Sequence, residues 1–377
     1  MSTNGMFSCR LISRFMNGGQ EMHPRATAPN HQSLPFQHVD VHFVPHYTTI
    51  QVAGDFVALL VKQVQSDRRS HVELWNWTQA ASYGVRVSSP STDPFSYPSG
   101  QCELLETMAI DDIHFLSLTT LLVTSGGGFF VEIYSFDDPA VSDRGLISIG
   151  KFGLPKLVAE RCCCSMHASS YPLAGNSHVQ CSSQDSEPLF KSSSEGKLCT
   201  LSILLHGDLR PFQVLGLVVH TRVFLGLDPH VCEFLKKDQS SLIPWEVWGP
   251  QNSRWFPNDW IGHPYAICGL RVVDACNATS RVVSRGKRLR LRDFNPYAVP
   301  FPITADDTSL GNWRKISFIK EPLRIPAGTT FAEDVESHLP YREVITEENF
   351  DVTDVMMDDE RIILRKVTLS RFFSFFS

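Results

Sequence analysis

Apolar and polar positions alternate in short runs along most of the chain, with the two-residue period of a strand. Thr49-Ile50-Gln51-Val52-Ala53 and Phe56-Val57-Ala58-Leu59-Leu60-Val61 flank Gly54-Asp55, a pair suited to a tight hairpin turn. Val72-Glu73-Leu74-Trp75-Asn76-Trp77 follows. The phrase returns as Ile113-His114-Phe115-Leu116, Leu121-Leu122-Val123 and Phe130 to Phe136, the last two joined across Gly126-Gly127-Gly128. A third copy runs from Ala266 to Val273 and then from Arg288 to Phe294. The closing strands VELWNW, VEIYSF and LRLRDF share one template: aliphatic, polar, aliphatic, variable, polar, aromatic. Asp354 to Leu364 reads as an inner strand, an acidic turn and an outgoing strand. The most apolar run, Phe212 to Leu227, is rich in valine and reads as buried strands. No stretch sustains a 3.6-residue period, and 23 prolines and 23 glycines punctuate most windows. Strand–turn–strand units recurring over roughly 40 to 60 residues predict an all-β, β-propeller-like body. A β-sandwich or an open barrel would leave similar short strands.

The rhythm changes at three places. Residues 1–45 are polar and aperiodic, which predicts a disordered leader ahead of a propeller-like domain over 46–367. Residues 165–197 are rich in serine and read as a polar loop insertion. Residues 368–377 form a C-terminal tail in which FFSFFS either docks on the body or stays adhesive.

Composition narrows the class. A hydrophobic fraction of 42% and a charged fraction of 20% are those of a globular chain with a sizeable core. The 25 phenylalanines, 7 tryptophans and 8 tyrosines suit pleated, half-buried surfaces. A net charge of -6 argues against a general nucleic-acid binder. No stretch approaches the roughly 20 apolar residues of a membrane helix, so no membrane partner is expected. The first residues lack the apolar core and cleavage site of a secretory signal, although Arg10 and Arg14 faintly resemble a transit peptide. Ten cysteines in such a chain point to reduced thiols and a cytoplasmic or nuclear location. The sequons at Asn76 and Asn277 are then expected to stay unmodified.

Motifs for phosphate loops, nucleophile elbows and zinc helices are absent from the sequence. Neither a catalytic residue, a cofactor nor a metal is assigned. Gly126-Gly127-Gly128 reads as a tight turn, because phosphate binding wants a helix amino terminus after it. Cys162-Cys163-Cys164 with His167 is the sharpest metal-like cluster, but adjacent cysteines point to opposite sides of a strand. Asp112 and His114 share a strand face with no identifiable nucleophile and read as solvated. Arg281, Arg285, Lys287, Arg288, Arg290 and Arg292 form a basic patch over 281–292 that a nucleic acid would need. On a strand, Arg288, Arg290 and Arg292 also make an ordinary solvated face opposite Leu289 and Leu291. The aromatic segment Pro244 to Phe256 carries the side-chain types enriched at binding hot spots: Trp245, Trp248, Arg254, Trp255 and Phe256. These five are the candidate partner-binding residues. The competing reading is that the tryptophans pack beneath a proline-bounded loop and close a repeat.

At these residues the sequence resembles the divergent F-box protein family of mushroom-forming fungi, in the region that follows the F-box. The matching phrases are VAGDFVALLVKQ, VELWNW, DDIHFL, FVEIYSFDDP, VVHTRVFL, WEVWGPQNSRWF, YAICGLRVV, LRLRDFNPYAV and LPYREVITEENFDVTDVMMDDERIIL. They extend from about Ile50 to Leu364, and their order makes the resemblance specific. The resemblance implies a WD-repeat-like body in the substrate receptor of a cullin-type ubiquitin ligase. Such a subunit is non-catalytic: it grips a target while an F-box holds the Skp adaptor and, through it, the cullin. The Leu-Pro-x-Glu-like opening of an F-box does not occur in residues 1–50, so Skp and cullin are expected as partners only through an F-box elsewhere in the gene. Two further readings stay open: a propeller or barrel enzyme with dispersed catalytic residues, and a nucleic-acid-associated protein using the basic patch.

Overall fold

In the computed structural model of the protein the strands pair antiparallel, most of them with a sequence neighbour. The structure describes residues 8–10, 13–14, 20–21, 33–35, 45–63, 70–76, 81–87, 110–137, 145–171, 196–207, 210–237, 242–257, 266–277, 286–297, 313–358 and 361–366. The fold is all-β and propeller-like, built of several small antiparallel sheets. The described residues divide into two compact units, one ending at Lys151 and one beginning at Phe152. The sequence pattern predicts one domain over 46–367.

The first unit begins with four short strands: β1 (Ser8–Arg10), β2 (Ser13–Arg14), β3 (Gln20–Glu21) and β4 (Ser33–Pro35). β1 pairs with β4 and β2 with β3, in a stretch expected as a disordered leader. Ladders of two or three residues carry no period that a sequence could display. Next comes the meander β5 (Pro45–Ala53), β6 (Phe56–Gln63), β7 (Ser70–Asn76) and β8 (Ala81–Val87). The predicted hairpin is present: Ala53 pairs with Phe56, and Gly54 takes φ 57, a left-handed conformation that suits glycine. A Cβ at Gly54 would also come within 2.8 Å of Leu118 Cδ2.

A second sheet contains β9 (Asp112–Ser117), β10 (Thr120–Ser125), β11 (Phe130–Phe136) and β12 (Leu146–Gly153) in sequence order, with β12 running into the second unit. Leu60 and Leu74 share a buried cluster with Phe115, Leu121, Tyr134 and Phe136. Phe136 meets Phe56 and Phe115 edge-on at centroid separations of 5.2 and 6.1 Å. The triple-glycine turn is held by Asp111, whose carboxylate accepts the Gly126 amide at 2.7 Å.

The second unit opens with β13 (Arg161–Ser169), β14 (Leu198–Gly207) and β15 (Arg210–His220). β13 takes up Ser165–Ser169, so the expected polar insertion over 165–197 begins later than its composition suggested. Met166 and Ala168 are buried there and make the serines beside them part of a ladder. Phe212 to Leu227 is strand only as far as His220, after which Thr221–Val223 form a 3-10 turn. Two helices follow that the sequence reading missed, α1 (Pro229–Lys237) and, after β16 (Leu242–Ile243), α2 (Trp245–Asn252). Asp228 caps α1 by accepting the His230 and Val231 amides at 3.0 and 3.2 Å. β17 (Ser253–Pro257) completes the order β13-β14-β15-β17.

The last large sheet is built from β18 (Ile267–Cys268), β19 (Arg271–Asn277), β20 (Lys287–Asp293), β21 (Trp313–Ile319) and, after the hairpin β22 (Leu323–Ile325) and β23 (Val335–Ser337), β24 (Tyr341–Thr346). β24 inserts between β20 and β21. The chain then forms the hairpin β25 (Asp354–Met357) and β26 (Ile362–Arg365), with the predicted acidic turn closed by Asp358 on Arg361. The FFSFFS tail lies outside the described residues.

Candidate functional site

The five proposed partner-binding side chains lie on α2 and β17, and all of them are buried. Trp248 is 0% exposed, and its indole Nε1 donates to the Gly153 carbonyl at 3.0 Å. It packs edge-on against Trp245 at 4.9 Å and Phe152 at 5.8 Å. Trp255 continues the stack between Trp245 at 5.6 Å and Phe331 at 5.3 Å. Gly249 is required at its position, because a Cβ there would fall on the Trp245 ring. Arg254 donates to the Glu321 carbonyl at 2.7 Å and stacks over Tyr341, while Phe256 packs on Phe294 and Tyr341. The expected docking surface is therefore corrected to a core. Hot-spot chemistry and core chemistry use the same residue types, and here a helix too short and too proline-bound to show a period, followed at once by β17, turns those residues inward.

The basic patch is likewise drawn into the fold. Arg290 grips Asp274 through Nε to Oδ1 at 2.9 Å and Nη2 to Oδ2 at 2.7 Å, and Arg292 adds Nη1 to Oδ2 at 3.0 Å. Arg292 is 1% exposed, lies 3.7 Å from Glu343 and sits 4.1 Å over the Phe256 ring. Arg292 does not lie on the expected solvated face, because Phe256 covers it, while Arg290 is only partly exposed and is held by Asp274. Arg281 and Arg285 lie outside the described residues.

Asp112 and His114, expected as solvated, are buried on β9. Lys62 faces this region: burial lowers its pKa, and the Asp111 and Asp112 carboxylates pull it partly back. The three adjacent cysteines lie at the start of β13, where the register slips between Cys163 and Ser165 and leaves Cys162 and Cys164 exposed. Among the described residues no group of three or more His, Cys, Asp or Glu side chains is placed to hold a metal ion. None of their helices is long and apolar enough to cross a membrane.

What the sequence did not bring together is an open groove of about 440 Å³ in the second unit. Leu215 of β15, Pro257 of β17 and Ile325 of β22 give it apolar lining. Phe212, 64% exposed, forms one rim. The opposite wall is the loop from Pro326 to Thr330, pinned where the Val158 amide meets the Thr330 carbonyl at 3.2 Å and where Thr330 Oγ1 donates to Gln213 at 3.1 Å. Two arginines enter the groove. Arg324 is paired with Asp334. Arg161 Nε donates to the Thr329 carbonyl at 3.4 Å, while its Nη1 is shielded from solvent and meets no hydrogen-bond partner among the described residues. Arg161 and Thr329 are 168 positions apart, and no local pattern announces such a meeting.

No family model matches the chain, and no curated protein matches it. Among solved structures the chain is similar to the WD40 domain of SCAP from fission yeast, with 8% identity and a TM-score of 0.31 over 81% of this chain. The match takes in 61% of that domain, less than two thirds of its length.

Proposed function

We infer that the chain is a non-enzymatic protein-interaction scaffold related to the substrate-receptor part of a cullin-type ubiquitin ligase. The observation that carries this reading is how the chemistry is distributed in the second unit. Residues of a type that could catalyse or bind, from Trp245 to Phe256 and at Arg290 and Arg292, are engaged in packing and ion pairs. The groove beside Arg161, by contrast, is open and lined by apolar and polar side chains together, as binding sites are. The ligase connection rests on the ordered phrases from VAGDFVALLVKQ to MMDDERIIL.

The test is affinity purification of the full-length protein at its native start, with quantitative mass spectrometry for the Skp adaptor and cullin. Recovery of both supports the receptor reading. Other stoichiometric partners without them leave a scaffold detached from the ligase. Recovery of no stoichiometric partner refutes the scaffold itself.

A further inference from the structure

Among the described cysteines, Cys162 and Cys164 alone are exposed, and they stand two residues apart at the start of β13. The ladder with β14 runs from Cys162–His206 and Cys163–Leu205 directly to Ser165–Leu204, so Cys164 is the extra residue of a β-bulge. In a straight strand, residues i and i+2 have Cα atoms about 6.6 Å apart, near the upper limit for a disulfide. A bulge bends the strand, which shortens that span. Cys163 between them is half-buried, and its Sγ donates to the Ser165 carbonyl at 3.4 Å. The other described thiols are withdrawn. Cys199 and Cys268 are buried, Cys232 donates to the Gly226 carbonyl at 2.8 Å, and burial pushes the Cys276 thiol up.

A proton acceptor stands beside the pair. His206 is the cross-strand neighbour of Cys162, and Cβ atoms of such neighbours lie about 4.5 to 5.5 Å apart. The imidazole is braced by Phe212 at a centroid separation of 4.9 Å. An imidazole so placed can take the thiol proton, and the thiolate is the form that attacks an oxidant. Solvent-accessible thiols are the ones that oxidise, and a second thiol within reach traps the first product as a disulfide.

We propose that Cys162 and Cys164 form a redox-modification site, a dithiol that hydrogen peroxide converts to an intrachain disulfide. The Cys162 thiolate attacks one peroxide oxygen. The S–O bond forms, the O–O bond breaks, and the departing oxygen leaves as water with the proton that His206 took up. Cys162 is now a sulfenic acid, oxidised by two electrons, and the peroxide is reduced. The Cys164 sulfur then attacks the Cys162 sulfur, the S–S bond forms, and the S–O bond breaks to release a second water with the Cys164 proton. Two thiols and one hydrogen peroxide thus give one disulfide and two waters. A ring so small and exposed is readily reopened by thiol exchange, which makes the modification reversible. The inference stands apart from the scaffold reading.

The experiment treats the folded full-length protein with stoichiometric hydrogen peroxide and then blocks the remaining thiols with N-ethylmaleimide in urea. Reduction releases the oxidised thiols, iodoacetamide labels them, and tandem mass spectrometry assigns each label to its cysteine. Parent, Cys162→Ser, Cys163→Ser, Cys164→Ser and His206→Gln chains are compared, with circular dichroism verifying that each is folded. In the parent, Cys162 and Cys164 should carry the second label together while Cys163 carries the first. Cys163→Ser should keep that pattern, and Cys162→Ser or Cys164→Ser should abolish it. His206→Gln should slow disulfide formation at neutral pH by at least about 3-fold, since less of Cys162 is then thiolate. The parent labelling needs no variant, so a variant that fails to fold leaves the test intact. First-label maleimide on Cys162 or Cys164 after peroxide overturns the proposal. So does a disulfide to any other cysteine or to a second chain, or sulfinic acid formed without a disulfide. An unchanged rate in His206→Gln overturns the proton transfer on which the first step depends.

Discussion

Asp274 is the residue whose loss should be felt most sharply, because one carboxylate holds two arginines. Replacing it with Asn keeps size and shape but removes the charge and turns one acceptor oxygen into a donor facing a guanidinium. Three hydrogen bonds of 2.7 to 3.0 Å then reduce to one acceptor shared between Arg290 and Arg292. Arg292 is nearly inaccessible, and Glu343 at 3.7 Å is too far for a good direct bond. Breaking a fully buried pair costs about 3 to 5 kcal/mol, and partial exposure of Arg290 and Asp274 brings the expectation to about 3 kcal/mol. For a unit of this size that lowers an unfolding midpoint by about 6 to 12 °C. Tryptophan fluorescence during thermal unfolding reads the second unit well, since Trp245, Trp248 and Trp255 are buried there. Lys237→Gln, which removes an exposed pair with Glu233 on α1, is the control and should leave the midpoint unchanged. If Asp274→Asn unfolds with the control, the network is not what holds this sheet.

Three further outcomes are expected. Gly249→Ala drives a methyl group into the Trp245 ring and should lower the same midpoint, with partial recovery in the Gly249→Ala, Trp245→Leu double variant; an unchanged midpoint would show that α2 can shift freely. Burial, assisted by Arg222 and opposed by the Lys197 backbone, holds the His220 imidazole down at about 4. The unfolded chain then takes this proton first, so stability is full above about pH 6.5 and falls by up to about 3 kcal/mol by pH 4; His220→Gln should flatten that slope in urea titrations. Retention on duplex DNA should be no different for Arg290→Gln than for the parent, because Arg290 already grips Asp274; a loss of salt-sensitive retention would restore the basic patch as a nucleic-acid surface.

The strands were legible because their signals are local. Gly54-Asp55 announced β5 and β6, VEIYSF became β11 and LRLRDF became β20, each from alternation and a turn residue. The helices were not read, for different reasons. α2 holds Gly249 and Pro250 within eight residues, which erases any helical period. α1 did carry a signal, with Asp228 at the cap, Pro229 at the first position and Lys236 and Lys237 in the last turn, but nine residues are too few to stand out against strands. The orientation of side chains was the hardest part. Whether Trp248 or Arg292 faces water depends on partners such as Gly153 and Glu343, which come from distant positions. The groove was invisible for the same reason, since its lining converges from Arg161, Phe212 and Ile325.

The aromatic core around α2 bears on how such a chain can change over time. Residues that elsewhere would read a partner are here committed to holding the frame, so altering them damages the fold before it alters what the protein recognises. Phe212, exposed to solvent, is not part of that packed frame. A lineage built on this body can therefore drift rapidly in what it recognises while the tryptophan phrase stays put, and comparing homologues by that phrase groups them by architecture and says little about their targets.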